Sequence, residues 1–167
     1  MPGAPPGRYE HPVRRGDQMN EINQFKGKAE DEADAARVPH NIEAEQQLLG
    51  AILTNNEVYD RIAQIIKPAH FYEPVHGRIY EEAARRITAN MLASPVTLKA
   101  YLGDDAGLKE LGGAAYLARL AGAAISAFAA QDYARMIYEM HLRRELMQLG
   151  ADISSNAGRM AETSAPS

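Results

Sequence analysis

The stretch VPHNIEAEQQLLGAIL, which runs from Val38 to Leu53, decides the fold of this chain. Asn41 is of a residue type that caps helix N-termini. Glu43 and Glu45 follow in the first turn, where the helix dipole favours anions, so we interpret both as helix-start residues and neither as an acid or base. The apolar residues behind them recur at helical spacing and are Leu48, Leu49, Ile52 and Leu53. The pattern predicts a capped, amphipathic first helix.

Further helices follow, each marked by residues that begin or end a helix. The pair Asn55-Asn56 breaks the chain before a second short helix, which Lys67-Pro68 ends. A third helix has Pro74 in its first turn. SPVTLKAYL, from Ser94 to Leu102, predicts a fourth helix capped by Ser94 or Thr97. Alternating runs of Val, Ile and Thr are missing, so the fold class is all-α.

The predicted organisation has four parts. Residues 1–37 are rich in Pro, Gly and charge, which predicts a disordered N-terminal tail. Residues 38–126 form a small globular helical bundle, in which GDDAGLKELGG is a loop and AAYLARLAGAA a short fifth helix. Residues 127–156 form one long helix, and residues 157–167 return to small and polar residues, as in a linker.

The long helix carries two apolar stripes on a helical wheel. One stripe is Tyr133, Met136, Ile137, Met140 and Met147, and the opposite one is Tyr138, Leu142, Leu146, Leu149 and Ile153. His141 lies along a polar margin, and Arg144 intrudes on the stripes. One stripe can pack on the bundle while the other meets a further helix or another subunit. The alternative is a helix buried in the middle of a bundle.

Composition excludes several classes of protein. The chain has 167 residues, of which 46% are hydrophobic and 24% charged, and it has no apolar run of the length that a bilayer span needs. We therefore expect no membrane segment and no secretory signal. The lack of cysteine excludes a disulfide framework. The net charge of -4 argues against tight nucleic-acid binding by this domain.

Motifs for chemistry are also missing. The sequence has no GxxxxGK[ST] loop, and its only Gly-Lys pair, Gly27-Lys28, lies in the predicted tail. His70 and His76 flank Glu73, but their spacing matches no common metal site. We therefore predict no catalytic, cofactor-binding or metal-binding residue, and no enzyme activity of this chain. A competing interpretation is an all-α, helix-turn-helix-like nucleic-acid-binding module, for which short helices and Gly-Gly turns would serve.

Four blocks, taken in order, resemble the N-terminal domain of the DnaB-type replicative DNA helicases of bacteria. They are PHNIEAEQQLLGAIL, HFYEPVHGRIYEEA, PVTLKAYL and LGGAAYLARL. The resemblance covers residues 38–155. It implies a globule followed by a helical hairpin, and a non-catalytic collar on a hexameric ring built from three dimers. The long helix is then the first arm of a truncated hairpin, and ATP and Mg²⁺ belong to an absent C-terminal motor domain.

The resemblance also implies partners. These are other copies of the chain, the C-terminal helicase-binding domain of primase and a helicase loader, at the replication fork in the bacterial cytoplasm. Aromatic residues and Met are favoured anchors on such surfaces. The candidate protein-interaction residues are Tyr116, Tyr133, Met136, Ile137, Met140, Met147 and Ile153. For each of them, and for Tyr116 above all, an ordinary place in the core is the competing interpretation.

Overall fold

The computed structural model describes Gly3 and residues 38–164, and all regular structure in this part of the chain is helical. This confirms the all-α class. The predicted tail, apart from Gly3, and the last three residues lie outside the described part. The helices are α1 (Ile42–Thr54), α2 (Glu57–Ile62), α3 (Pro74–Thr88), α4 (Pro95–Leu102), α5 (Ala106–Leu111), α6 (Ala114–Gly122) and α7 (Ala130–Thr163), with a 3-10 turn at Pro68–His70 between α2 and α3.

Helix α1 is the centre of the globule, the name used here for α1 to α6. It packs against α2, α3, α6 and α7, and Leu48, Leu49 and Ile52 on it are fully buried. The predicted cap is confirmed, since Asn41 Oδ1 accepts a 2.9 Å hydrogen bond from the Ala44 amide. Gly50 lets α6 approach closely, because a Cβ at this position would lie 2.0 Å from the carbonyl oxygen of Leu120.

The ends of α3 and α4 follow the predicted signals. Pro74 opens α3, and the preceding Glu73 side chain accepts from the Val75 amide. At α4, Ser94 is the cap, and its Oγ accepts from the amide of Thr97 at 3.3 Å. These caps satisfy backbone donors that have no partner inside the helix, and so they fix where each helix begins.

Helix α5 corrects one prediction, because residues 106–111 were expected to lie in a loop. Asp105 caps the helix by accepting from the Leu108 amide at 2.9 Å, and it also binds the Arg78 guanidinium through both carboxylate oxygens. Arg78 and the Leu108 amide hold the pKa of Asp105 below its usual value. Gly112 ends the helix with a left-handed φ of 117°. A helix of six residues with one buried side chain, Leu108, is too short to show periodicity.

Helix α7 corrects both ends of the predicted long helix, which were residues 127 and 156. It begins at Ala130, after a turn in which the Ala129 amide donates to Ser126, and it continues to Thr163. Residues 157–163, predicted as a linker, are therefore helical. Most of them are good helix formers, and Gly158 alone costs about 1 kcal/mol, which is too little to end the helix. The next proline is Pro166.

Candidate protein-interaction surfaces

The first half of α7, residues 130–144, packs on the globule along one face. Ala130, Ala134 and Ile137 are buried on this face, against α1 and α2. Small alanine side chains permit the close approach of two helices. His141 and Arg144 continue the same face one and two turns further on. The packed face thus starts at the edge of one predicted stripe, at Ile137, and extends over the margin that holds His141. The ring of His141 lies there against His70 of the 3-10 turn.

Arg144 joins α7 to two other segments of the chain. Its guanidinium donates to the carbonyl oxygens of Pro39 at 2.7 Å and His70 at 2.9 Å, and it lies over the ring of Tyr72. The His70 ring lies 4.5 Å from that of His141, centroid to centroid. Burial lowers the pKa of His70, and the nearby charges of His141, Lys67 and Arg144 lower it further.

The second half of α7 makes no comparable packing, since every residue from 145 to 164 is exposed. One side of it is nevertheless apolar. We call this side the leucine stripe, and its members, exposed by between 42% and 71%, are Leu142, Leu146, Leu149, Ile153 and Met160. The stripe begins at Leu142, at the end of the first half, and its first four members are spaced by four, three and four residues, as in the seam of a coiled coil. Met160 follows seven residues later on the same side of the helix. A continuous apolar line in water is typical of a surface that meets a partner.

The seven candidate residues occupy different environments. Ile137 and Tyr116 are buried, Tyr133 and Met140 are half-buried, and Met136, Met147 and Ile153 are exposed. Met136 Sδ accepts from the side-chain Nδ2 of Asn41, so it lies beside the start of α1. The structure brings Tyr133 and Met136 together in a shallow depression with Asn41, Glu43 and Gln47. Ile153 lies apart from them on the leucine stripe, and Met147 lies, by helical spacing, on another side of α7.

Tyr116 belongs to a buried polar chain inside the globule. Its hydroxyl oxygen lies 2.5 Å from His76 Nε2 and accepts from the Gln46 side-chain amide at 3.2 Å. His76 Nδ1 lies 2.7 Å from a carboxylate oxygen of Glu45. A carboxylate only accepts, so Nδ1–H donates to Glu45, and in a neutral imidazole Nε2 then accepts from the Tyr116 hydroxyl. Burial raises the pKa of Tyr116. The chain of bonds fixes Tyr116 relative to α1 and α3.

Glu45 is therefore more than the helix-start residue that the sequence predicted. Its side chain is buried and accepts from the amides of Tyr72 and Glu73, at 2.6 and 3.3 Å, as well as from His76. The sequence held a signal for this role, because Glu45 stands three, four and seven residues before Leu48, Leu49 and Ile52. That spacing places it on the inward face of α1, where a carboxylate needs partners.

A shallow pocket opens at the surface beside this polar chain. It is lined by Gln46, Tyr116, Arg119, Leu120 and Ala123. Arg119 lies over the Tyr116 ring at 5.2 Å and donates to the Leu111 carbonyl oxygen at 2.7 Å. The pocket thus has an apolar floor, with an amide and a guanidinium held at its rim. Such a mixture suits a protein side chain or a short peptide segment.

The described residues show no arrangement that suits a metal ion or a membrane. No group of three or more His, Cys, Asp or Glu side chains in this part of the chain could hold a metal. His76 turns instead toward Glu45 and Tyr116, while His70 lies against α7. None of the helices described is long and apolar enough to cross a bilayer.

A compact helical globule with one long projecting helix, and with apolar side chains along that helix, defines an all-α domain with an exposed apolar face. The sequence matches the family model for the DnaB-like helicase N-terminal domain over residues 37–139. The chain belongs to this family, and within it the domain is non-catalytic.

Curated relatives agree with this assignment. The chain is 38% identical over 120 residues to the replicative DNA helicase DnaB of Rickettsia typhi, a match that covers 72% of this chain and 24% of the relative. The same protein of Rickettsia bellii is 38% identical over 141 residues, covering 83% of this chain and 28% of the relative. The chain thus spans about a quarter of the length of these relatives.

Solved structures agree on the fold. The crystal structure of the N-terminal domain of DnaB helicase from Mycobacterium tuberculosis matches with a TM-score of 0.66 at 28% identity, covering 71% of this chain and 86% of that one. A DnaB-like replicative helicase, described together with its interactions with primase, matches with a TM-score of 0.60 at 26% identity, covering 71% of this chain and 28% of the other.

Proposed function

We propose that this chain is the N-terminal collar domain of a replicative DNA helicase, which joins subunits of a hexameric ring and binds primase. The observation that carries the proposal is the leucine stripe, because an apolar line on a projecting helix needs a partner that the described chain does not supply. In this proposal the ring is a trimer of dimers in the bacterial cytoplasm. ATP and Mg²⁺ bind a separate motor domain, and a helicase loader is a further partner.

The margins of the stripe suit a second helix. By helical spacing, Gly150 and Ala157 lie along one margin, and Glu145, Asp152 and Arg159 lie along the other. Small residues on one side let a neighbouring helix approach closely, while charged residues on the other side can select its register and direction. The proposed occupant is a helix of the same hairpin or of a second subunit.

Self-association is tested by light scattering over a concentration series. We expect the mass of the wild-type chain to rise above that of a monomer. Leu149→Glu should weaken association at least tenfold, or about 1.4 kcal/mol, because it places a charge in the stripe. The matched control is Ala151→Glu, which adds the same charge on the opposite side of α7. A wild-type chain that stays monomeric at every concentration would contradict self-association through this helix.

Primase binding is proposed for the pocket beside Tyr116. The support is the rim formed by the half-buried Gln46 and the exposed Arg119 over an apolar floor, together with the primase interactions described for the related helicase. Titration calorimetry with the C-terminal domain of the cognate primase tests it. Arg119→Ala should weaken binding about tenfold or more, as expected for an Arg anchor. Arg85→Ala, a change at an exposed arginine outside the pocket, is the control. No binding by the wild-type chain would overturn this part of the proposal.

The competing function, a nucleic-acid-binding module, is disfavoured because several arginines are paired with carboxylates. Arg78 is paired with Asp105, Arg85 with Glu82, and Arg135 with Asp132. Phosphate binding needs clustered cations that are not already neutralised. We expect no DNA binding that survives physiological salt in fluorescence anisotropy, and no ATPase activity of this chain. Tight, salt-resistant binding would favour the competing function.

A further inference from the structure

The contact between α7 and the turn around His70 contains a titratable ring in an unusual position. His70 Nδ1 accepts a 2.9 Å hydrogen bond from the backbone amide of Lys67, which helps to close the 3-10 turn. A nitrogen that accepts an N–H carries no proton of its own. In this structure the neutral ring of His70 therefore has its proton on Nε2, and protonation of Nδ1 must break the bond to Lys67.

The surroundings of His70 do little to stabilise a second proton on its ring. The groups whose charges reach the ring are His141 and Arg144 on α7 and Lys67 on the turn itself, and all three are basic. The rings of Tyr138 and His141 lie against His70, at 4.9 and 4.5 Å between centroids. The carbonyl oxygen of His70 meanwhile accepts from Arg144. A positive charge on His70 thus opposes the packing of α7 in two ways. It breaks the hydrogen bond from the Lys67 amide, and it is repelled by the basic groups around the ring.

We propose that His70 is a proton-operated latch, whose protonation releases the Tyr138–Arg144 segment of α7 from the Lys67–Tyr72 turn. With the latch closed, Arg144 bonds to Pro39 and His70 and fixes the direction of the helix. With the latch open, α7 remains attached through Ala130, Ala134 and Ile137 and tilts about that contact. Mild acid then changes the direction of the leucine stripe relative to the globule, whatever partner the stripe binds.

The latch can be tested by distance measurements between two spin labels. The chain has no cysteine, so Glu110→Cys on the globule and Ala151→Cys on α7 provide unique attachment sites. Pulsed electron resonance on samples diluted with unlabelled protein excludes distances between molecules. We expect one narrow distance distribution at pH 7.5 and a second or broadened one at pH 5.5, reversible on return to pH 7.5. Circular dichroism at both pH values should show that the helices persist.

The matched variant is His70→Asn, whose side-chain oxygen can accept from Lys67 but cannot be protonated in this range. It should give the narrow distribution at both pH values. A wild-type distribution that does not change with pH, or an equal change in His70→Asn, would overturn the proposal. Nitrogen NMR of the His70 ring is an independent measurement on the unaltered chain. The shifts should identify the Nε2–H form at pH 7.5, and the Nδ1–H form would refute the starting state of the latch.

Discussion

The two halves of α7 belong to one unbroken helix but differ in what holds them. Residues 130–144 pack on the globule through two alanines, one isoleucine and the polar contacts of Arg144. Residues 145–163 touch no other part of the described chain closely enough to be buried, yet they hold four members of the leucine stripe and Met147. Hydrophobic residues are thus frequent where the described part of the chain does not cover them. The difference separates side chains that hold the fold from side chains that the fold does not use, which are the ones proposed above to meet a partner.

The largest difference in the free energy of unfolding is expected between two isoleucine substitutions, one in each half of α7. Ile137→Ala removes a buried side chain and should lower the free energy of unfolding by about 2–5 kcal/mol. Ile153→Ala makes the same chemical change in the projecting half and should stay within about 0.5 kcal/mol. Urea unfolding at a concentration where the chain is monomeric measures both. Equal losses would show that the projecting half is covered within the chain.

A second comparison concerns neighbouring arginines at the boundary between the halves. Arg144→Ala leaves the carbonyl oxygens of Pro39 and His70 without their donor, and should cost about 1–3 kcal/mol. Arg143→Ala changes an exposed residue one position earlier and should cost less than about 0.5 kcal/mol. Thermal unfolding of both variants is the measurement. If the two losses are similar, Arg144 is not a clamp between α7 and the globule.

Gly150→Ala should have a smaller effect, confined to the projecting half. An added Cβ there meets nothing within 4 Å, so the change only removes backbone freedom and should stabilise the helix by about 1 kcal/mol. Hydrogen exchange should slow for amides near residue 150 and stay unchanged in residues 130–140. A uniform change along α7 would mean that both halves open as one unit.

The smallest effect expected is a pH dependence of stability that comes from His70. Its pKa in the folded chain lies below the ordinary 6.5, so between the two values the unfolded chain binds more protons. The contribution of His70 is therefore complete above about pH 6.5 and is lost as the pH falls toward the lower, folded value. Denaturant unfolding from pH 7.5 to 5.5, compared with His70→Asn, isolates it. A wild-type curve parallel to that of the variant would contradict this assignment.

Most of the fold could be predicted from the sequence, because its signals are local. Asn41, Pro74 and Ser94 each act on the amides of their own helix, and the structure confirms all three positions. Helix α5 was missed because six residues carry too little pattern. The interaction residues stay predictions, although the burial of Tyr116 and Ile137 favours their alternative role in the core.

The contacts that could not be predicted are those between distant residues. Glu45 meets His76 from 31 positions away, and Arg144 meets Pro39 from 105 positions away. A helical wheel assigns faces to one helix, but it does not say which face another segment will meet. For that reason the wheel gave two apolar stripes on α7, whereas the face that packs on the globule includes His141 and Arg144.

The length of the projecting half turns small motions at its base into large ones at its tip. Residues 145–163 extend about 28 Å beyond Arg144, at about 1.5 Å per residue. A tilt of the helix by about 10° moves the far end sideways by about 5 Å relative to Arg144, roughly half the 8–10 Å that separates the axes of two packed helices. The projecting half therefore amplifies a small rotation of α7 into a large displacement of its far end. Whatever loosens the contacts at its base can therefore change the distance and angle at which a partner helix would pack against it.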